Sequence, residues 1–172
     1  MCGICGSVGN PHGPKAIESM VSKLQHRGPD ANGTWVSDET ALGHTRLAII
    51  DLSPAGHQPM VSVEGRCALV FNGEIYNYRE LRHELQQQGK RFRSNSDTEV
   101  ILHGYSCWGK DLLARLRGMF AFAVWDEAHQ ALFMARDRLG IKPLFYTNLN
   151  PGIVFASEVK ALLAHPGVRR EM

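Results

Sequence analysis

The apolar residues of this chain fall into short runs, and the spacing within each run predicts either a strand or a helix. Alternating or continuous apolar runs bounded by glycine, asparagine or aspartate predict strands. These cover Gly3–Val8, Ile153–Ala156 and residues 35–36, 41–50, 60–63, 67–71, 119–125, 131–134 and 144–147. Residues 47–50, at the end of one such run, are all apolar, which suits a strand that is buried on both faces.

Five segments show helical spacing instead. The first has apolar residues at positions 17, 20, 21 and 24, between Pro14 in its first turn and Gly28 as its C-terminal cap. Two more begin at Asn77 and Ser96, each followed by glutamate three positions later, as in a capping box. Short helices are predicted at residues 112–116 and 158–164. Strands, then helices, then strands, joined by hairpin-length links, favour an antiparallel α+β fold over a doubly wound parallel sheet.

Length and composition narrow the class of protein. The 172 residues fit one domain, residues 1–172, long enough to bury about 70% of its unfolded surface without disulfides. Four cysteines without a secretory signal favour a cytoplasmic protein, and no apolar run is long enough to cross a membrane. The 19 basic and 17 acidic residues are interspersed, with a net charge of +2, so nothing favours a nucleic-acid partner.

Cys2 directly follows the initiator methionine, a context in which Met1 is normally trimmed. The mature chain would then begin with a residue that carries both a thiol and a free α-amine. Their reference pKa values are about 8.5 and about 7.7 to 8.0, so near neutrality the amine can take the thiol proton directly or through one water. Cys2 is therefore a candidate nucleophile that needs no histidine base.

Other interpretations of this segment stay open. Cys2 and Cys5 form a C-x-x-C pair, which is typical of redox dithiols and of half a zinc site. Cys67 and Cys107 lie too far apart in the sequence to supply a second such pair. Cys2 could also be an ordinary residue next to the first strand.

Asn72 and Gly73 are a candidate oxyanion hole. Attack of a thiolate on a carbonyl places negative charge on oxygen, which then needs hydrogen-bond donors. The pair offers a side-chain amide and a backbone N–H where the predicted strand 67–71 runs out into a loop. An Asn-Gly turn is the alternative, but such a turn should lead into another strand and residues 74–77 lead into a helix cap.

Arg46 and Asp97 could recognise the two charges of an amino acid. Arg46, flanked by apolar strand residues, can form a two-bond fork to a carboxylate. Asp97, at a capped helix start, can meet an ammonium while backbone N–H groups keep its carboxylate ionised. Taken singly, each is better explained by a structural role, Arg46 as a strand-edge charge and Asp97 as a helix cap. Their presence together with Cys2 and the Asn72-Gly73 pair favours a substrate site.

These residues belong to blocks that resemble the glutamine-hydrolysing domain of asparagine synthetases. That domain is a class II glutamine amidotransferase, whose nucleophile is an N-terminal cysteine. The resemblance covers nearly the whole chain. Its blocks are MCGICG (1–6), HRGPD (26–30), RLAIID (46–51), FNGEIYN (71–77), SDTE (96–99), RD (136–137), GIKPL (140–144) and ASEVK (156–160).

The resemblance implies a four-layer αββα sandwich of the N-terminal nucleophile hydrolase type, and hydrolysis of L-glutamine to L-glutamate and ammonia. It implies Cys2 as the nucleophile and Asn72 with Gly73 as the oxyanion hole. The glutamine-binding residues that it implies are Arg46 at the carboxylate, Glu74 and Asp97 at the ammonium, and the backbone groups of Leu47, Ile49 and Ile50 beside Asn72 and Gly73. The glutaminase step is expected to need no metal or organic cofactor.

Members of the resembled family continue into an ATP- and Mg-dependent synthetase domain. We therefore expect this chain to be the glutaminase half alone, with its ammonia used by an absent C-terminal domain to make asparagine from aspartate. Residues 136–144 either face that domain or simply connect two strands. A different ammonia acceptor, a catalytically inactive regulatory or interaction module, and a homodimer stay open.

Overall fold

Two antiparallel sheets form the centre of the fold in the computed structural model, which describes residues 1–169. The strands are β1 (Gly3–Val8), β2 (Ala31–Ser37), β3 (Thr40–Arg46), β4 (Met60–Val61), β5 (Cys67–Ile75), β6 (Gly118–Asp126), β7 (Ala131–Arg136), β8 (Phe145–Asn148) and β9 (Ile153–Ala156). One sheet has the order β2-β3-β1-β9-β8 and the other the order β4-β5-β6-β7. Neighbouring strands in both sheets are antiparallel.

Helices cover the outer face of each sheet. They are α1 (Gly13–Ser22), α2 (Tyr78–Gln87), α3 (Asp97–Trp108), α4 (Leu112–Arg115) and α5 (Val159–Leu162). Apolar residues of α1 and α5 pack with β9 in one core, and those of α2, α3 and α4 pack with β5 and β6 in another. The four layers are therefore αββα, which confirms the predicted fold. Of the helices in the described residues, none has the length and apolar character needed to cross a membrane.

A third core fills the space between the two sheets, and it determines which side chains can meet. Ile4 of β1, Leu42 of β3 and Val70 of β5 all lie in it. Side chains alternate between the faces of a strand, so residues two or four positions away share the same inner face. The residues concerned are Arg46 on β3, Asn72 on β5 and Cys2, which directly precedes β1. The alternation alone therefore brings them to one end of the inter-sheet layer.

The prediction of a strand over residues 41–50 was wrong at its end. β3 stops at Arg46, and residues 47–50 form a loop in which Ile49 is 71% exposed. β1 begins only at Gly3, so no strand lies opposite residues beyond Arg46. Side chains accept hydrogen bonds from the backbone of this loop instead. The N–H of Leu47 donates to the sulfur of Cys2, and the N–H of Ala48 donates to the carboxylate of Asp30. The apolar run 47–50 therefore forms a loop that lines a cleft and not a buried strand.

Asn72 and Gly73 lie within a strand, so the predicted loop at this position was also wrong. β5 continues to Ile75, and the two residues pair with Ala121 and Phe120 of β6. An Asn-Gly turn is excluded by the same pairing.

Of the helix caps that the sequence predicted, Ser96 forms one, whereas Asn77 and Gly28 do not. Ser96 is the N-cap of α3 and accepts a hydrogen bond from the N–H of Glu99. Asn77 precedes α2 but makes no cap bond, because its side chain bonds the backbone of Arg115 and Arg117 instead. Gly28 ends the short 3₁₀ turn Gln25–Arg27, since α1 stops at Ser22.

Phe155→Ala tests the inter-sheet core. The Phe155 ring is fully buried between the sheets, so its removal leaves a cavity and should lower the free energy of unfolding by about 3 to 5 kcal/mol. Urea denaturation measures the change. Phe145→Ala on the edge strand β8, where the ring is 43% exposed, is the matched control and should cost much less. Equal losses in the two variants would contradict this description of the core.

Candidate active site

A cleft of about 250 Å³ opens where the inner faces of β1, β3 and β5 end. All nine site residues that the sequence suggested line it: Cys2, Arg46, Leu47, Ile49, Ile50, Asn72, Gly73, Glu74 and Asp97. The structure therefore brings the complete set together, although Cys2 is at least 44 positions away in sequence from every other member. The individual roles of these residues stay predictions.

The sulfur of Cys2 is held beside the start of the loop that follows β3. It lies 3.4 Å from the backbone nitrogen of Leu47, which donates to it, and 3.6 Å from the carbonyl oxygen of the same residue. On the other side, Nε of Arg27 donates to the carbonyl oxygen of Cys2 over 2.9 Å. Both the side chain and the backbone of Cys2 are thus fixed.

Burial raises the pKa of the Cys2 thiol above its ordinary value. The hydrogen bond from Leu47, the N-terminal ammonium and the guanidinium of Arg46 act in the opposite direction but do not outweigh burial. The resting thiol is therefore protonated at neutral pH, and a nucleophilic role requires a neighbouring base to remove the proton.

Cys5 does not lie near Cys2 in the way a dithiol would require. Its side chain is on the opposite face of β1, fully buried among residues of α1 and β9, and burial raises its pKa. Residues 1–169 contain no cluster of three or more His, Cys, Asp or Glu side chains that could hold a metal ion. The geometry thus gives no support to the redox or zinc interpretation of Cys2 and Cys5.

The side-chain amide of Asn72 has a free donor inside the protein. Asn72 is 1% exposed, and its Nδ2 has no hydrogen-bond partner among residues 1–169. Buried polar groups without a partner are rare, and a functional role is one of their explanations. The amide lies in the wall of the same cleft as Cys2. It can therefore donate to an oxygen atom bound there.

The N–H of Gly73 is a second donor at the same place. In β5, the N–H of Phe71 donates to Oε1 of Gln58 over 2.6 Å and the N–H of Ile75 to Oδ2 of Asp97 over 2.9 Å. Alternate residues of a strand direct their N–H groups to the same edge, so that of Gly73 lies between these two. A Cβ at this position would overlap the carbonyl oxygen of Met119 on β6, which explains the glycine.

Arg46 is buried at the end of β3 and holds the following loop. Its Nη1 donates to the carbonyl oxygen of Ser53 over 3.1 Å, and its Nη2 to that of Asp51. Within the described residues it has no acidic side chain within 4 Å, although it is only 7% exposed. A guanidinium has five N–H donors, so several remain to bind a carboxylate in the cleft.

Asp97 opens α3, but its side chain is not the cap. Ser96 caps the helix, while Asp97, which is 4% exposed, accepts from Ile75. Burial raises the pKa of Asp97 to about 6, against hydrogen bonds from Ile75 and Thr98, and the charge of Glu74 adds to the rise. Neither Asp97 nor Glu74 has a basic side chain within 4 Å among residues 1–169. A cationic ligand would relieve both.

Several residues of the site had no recognisable role in the sequence. Arg27 stands between a helix and a glycine, and nothing in its spacing indicates that it reaches Cys2 and Glu158. Gln58 and Lys142, both less than 10% exposed, also line the cleft. The only available signal was that all three are long polar side chains and that Arg27 and Lys142 lie inside motif blocks.

Comparison with known families agrees with this geometry. Residues 1–172 match the family model described as "Glutamine amidotransferase domain". The chain belongs to that family.

Its similar curated proteins are mainly glutamine-hydrolysing asparagine synthetases. The chain is 44% identical to asparagine synthetase [glutamine-hydrolyzing] 3 of Bacillus subtilis, over 98% of this chain and 28% of that protein. It is 46% identical to a putative asparagine synthetase [glutamine-hydrolyzing] of Mycobacterium tuberculosis, over 95% of this chain and 28% of that protein. The chain thus carries the glutamine amidotransferase domain of asparagine synthetase homologues and spans little more than a quarter of their length.

A solved structure has the same fold. The glutamine phosphoribosylpyrophosphate amidotransferase of B. subtilis superimposes with a TM-score of 0.82 at 26% identity, over 95% of this chain and 43% of that one. This neighbour confirms the N-terminal nucleophile amidotransferase fold.

Asp97→Asn should stabilise the protein at neutral pH. Because burial raises the pKa of Asp97 to about 6, the folded state binds more protons than the unfolded state between about pH 4 and pH 6. The contribution of this carboxyl to the free energy of unfolding therefore falls as pH rises, by about 3 kcal/mol. Asparagine keeps an oxygen for Ile75. Urea denaturation should show a gain over wild type at pH 7.5 and almost none at pH 4.

Asp51→Asn is the control of opposite sign. Hydrogen bonds from Ser53 and Asn95 lower the pKa of Asp51, so its charge favours the folded state above about pH 4. This variant should lose stability at pH 7.5. A gain of the same size in both variants would mean that loss of negative charge in general, rather than burial of Asp97, is responsible.

Proposed function

We propose that this chain hydrolyses L-glutamine to L-glutamate and ammonia with the thiol of Cys2 as the nucleophile. We further propose that the ammonia is used by an ATP- and Mg-dependent synthetase domain to make asparagine from aspartate. The observation that carries the first proposal is the buried, unpartnered amide of Asn72 in the same cleft as the sulfur of Cys2. The similarity to glutamine-hydrolysing asparagine synthetases supports the second.

The charges of the cleft suit free glutamine. Arg46 offers guanidinium N–H donors to the α-carboxylate, and Glu74 with Asp97 offers negative charge to the α-ammonium. Binding of that ammonium would lower the pKa of Asp97 and keep this carboxylate ionised. The exposed or half-buried loop residues Leu47, Ile49 and Ile50 would contribute backbone groups to the wall. The side chain of glutamine would then extend toward Cys2.

The chemistry needs a free α-amine on Cys2. The amine takes the thiol proton while the sulfur forms a bond to the amide carbon of glutamine. Asn72 and Gly73 donate to the oxygen as it becomes negative. The resulting ammonium gives its proton to the amide nitrogen, the C–N bond breaks and ammonia leaves a thioester. Water, deprotonated by the same amine, attacks the thioester, the C–S bond breaks and the thiol is restored. We expect this step to need no metal or organic cofactor.

A different ammonia acceptor is the second candidate. The chain is also 40% identical to amidase chry2 of Gibberella zeae, over 95% of this chain and 26% of that protein, so a relative of this domain carries a different name. In this proposal the cleft binds glutamine and not the ammonia acceptor. Its geometry is therefore compatible with either acceptor. An inactive regulatory module is less well supported, because a buried donor without an acceptor, Asn72, and a buried acid without a cation, Asp97, are both costly to retain without a ligand.

Cys2→Ala should abolish glutamate release, because the variant lacks the atom that forms the thioester. Coupled detection of glutamate from L-glutamine measures the rate, and calorimetry should still detect glutamine binding. Cys107→Ala, half-buried on α3 and outside the cleft, is the matched control and should retain wild-type turnover. Retained turnover in the Cys2 variant would rule out the mechanism.

Intact mass of the same samples gives the state of the N-terminus. The mechanism requires loss of Met1, whose peptide bond would otherwise occupy the amine. An active protein that retains Met1 would contradict the proposed base, while leaving Cys2 as nucleophile to be judged from the alanine variant.

Asn72→Ala should lower kcat by roughly 10²- to 10³-fold with little change in KM, since the amide is expected to bind the transition-state oxygen more strongly than the ground state. Steady-state kinetics on glutamine measures both constants. Asn148→Ala, exposed on the edge strand β8, is the control. A rise in KM alone would indicate that Asn72 binds substrate and does not stabilise the oxyanion.

A further inference from the structure

Lys142 is a buried cation without an acidic partner. It is 7% exposed and lines the cleft, yet no carboxylate lies within 4 Å of its Nζ among the described residues. Lysine is almost never buried unless it is paired, because the loss of hydration of the ammonium is unfavourable. The only hydrogen-bonding contact of Nζ within residues 1–169 is the sulfur of Met1, at 3.5 Å. A thioether is a weak acceptor.

The backbone of Lys142 is fixed independently of its side chain. Its N–H donates to Oδ2 of Asp137 over 3.0 Å, and its carbonyl oxygen accepts from Nε of Arg136 over 2.7 Å. Asp137 also accepts from the N–H groups of Leu139 and Ile141. The connection between β7 and β8 is therefore a rigid mounting that holds the lysine side chain at the cleft.

Loss of Met1 would leave the ammonium of Lys142 close to the amine of Cys2. Five covalent bonds separate the Met1 sulfur from the nitrogen of Cys2, so Nζ lies within about 10 Å of that nitrogen. Once Met1 is removed, this nitrogen becomes the α-amine. Two groups that can both carry positive charge then share a partly desolvated cleft.

We propose that Lys142 is a positioning residue of the glutaminase site, whose unpaired ammonium keeps the α-amine of Cys2 neutral and able to accept the thiol proton. A nearby like charge disfavours the protonated amine. The same repulsion helps the amine to pass its proton to the departing nitrogen. This inference rests on the proposed function, because it assigns Lys142 a role only through the amine of processed Cys2.

The other charges around the cleft make this contribution necessary. Arg46 acts in the same direction as Lys142, whereas Asp51, Glu74 and Asp97 favour a protonated amine. Arg27 reaches the carbonyl oxygen of Cys2, but its charge is paired with Glu158. The carboxylate of Asp137, near the backbone of Lys142, accepts hydrogen bonds from backbone N–H groups. Without Lys142 the acids would outnumber the cations of the cleft wall by three to one.

Lys142→Met in the processed full chain tests the inference. The acidic limb of the pH profile of kcat/KM for glutamine should move up by about half a pH unit, with roughly threefold lower activity on that limb and near-normal activity at its plateau. Lys142→Arg should restore the wild-type profile. Lys110→Met, which removes an exposed lysine outside the cleft, should leave the profile unchanged. A Lys142→Met profile that superimposes on wild type would overturn the inference.

Alkylation of Cys2 separates this outcome from failure of the proposed function. The rate of iodoacetamide labelling at Cys2, followed by peptide mass as a function of pH, needs no glutamine turnover. Its midpoint should also shift upward in Lys142→Met. If wild type releases no glutamate, a shifted labelling midpoint still supports Lys142, and an unchanged one overturns its role. Thermal melting should show equal or higher stability, since an unpaired buried charge is lost; a fall in Tm with rates reduced uniformly at every pH would mean a merely structural role.

Discussion

Three backbone N–H groups on one edge of β5 have to be accommodated without a neighbouring strand. β4 pairs only with Leu69 and Ala68, and continuing its register would place Gln58 opposite Phe71. Pro59 has no N–H, which ends the ladder there. The side chain of Gln58 takes the N–H of Phe71 in place of backbone pairing. Asp97 takes the N–H of Ile75, and that of Gly73, between them, faces the cleft.

This edge also joins the walls of the cleft into one hydrogen-bonded unit. Gln58 donates to Oγ1 of Thr98, so the loop before β4 is attached to the first turn of α3. Asp51 accepts from the N–H of Asn95, just before that helix, and its own carbonyl oxygen accepts from Arg46. A displacement of α3 would therefore move the donor at Gly73 and the guanidinium of Arg46 together. The position of an amino acid in the proposed site would depend on this shared attachment.

The sequence predicted most strands and helices because they depend on local periodicity, whereas the four-layer arrangement was implied by the family resemblance. Alternating and helical spacing identified most strands and helices, and the nine site residues suggested by the sequence all line the cleft. Periodicity failed where side chains replace a strand as hydrogen-bond partners. The loop at 47–50 is apolar yet not a strand because Cys2 and Asp30 bind its N–H groups. Likewise, an Asn-Gly pair at the end of an apolar run suggests a turn or a loop. Its place inside β5 follows from pairing with β6, which the sequence does not reveal.

The sequence also contained no indication of what several long polar side chains contact. The role of Arg27, Gln58 and Lys142 depends on which backbone or cavity lies within reach of the side chain, and this is a property of the folded chain. Their neighbours in sequence give no information about it. Arg27, for example, contacts Cys2 and Glu158, which are 25 and 131 positions away. Only the topology, with β1 between β3 and β9, makes these contacts adjacent.

The site is maintained against the preferences of its residues for water. Asp97 and Lys142 are charged groups buried without an oppositely charged partner, and the amide of Asn72 is buried without an acceptor. Each is unfavourable in the folded protein, and the inter-sheet core has to offset the sum. The proposed amino-acid ligand would supply an ammonium for Asp97 and a carbonyl oxygen for the amide of Asn72, and its carboxylate would accept from the remaining guanidinium donors of Arg46. The ammonium of Lys142 would stay unpaired. One small zwitterion would therefore relieve two of the three unfavourable groups at once, which is the physical reason for proposing an amino acid as the ligand.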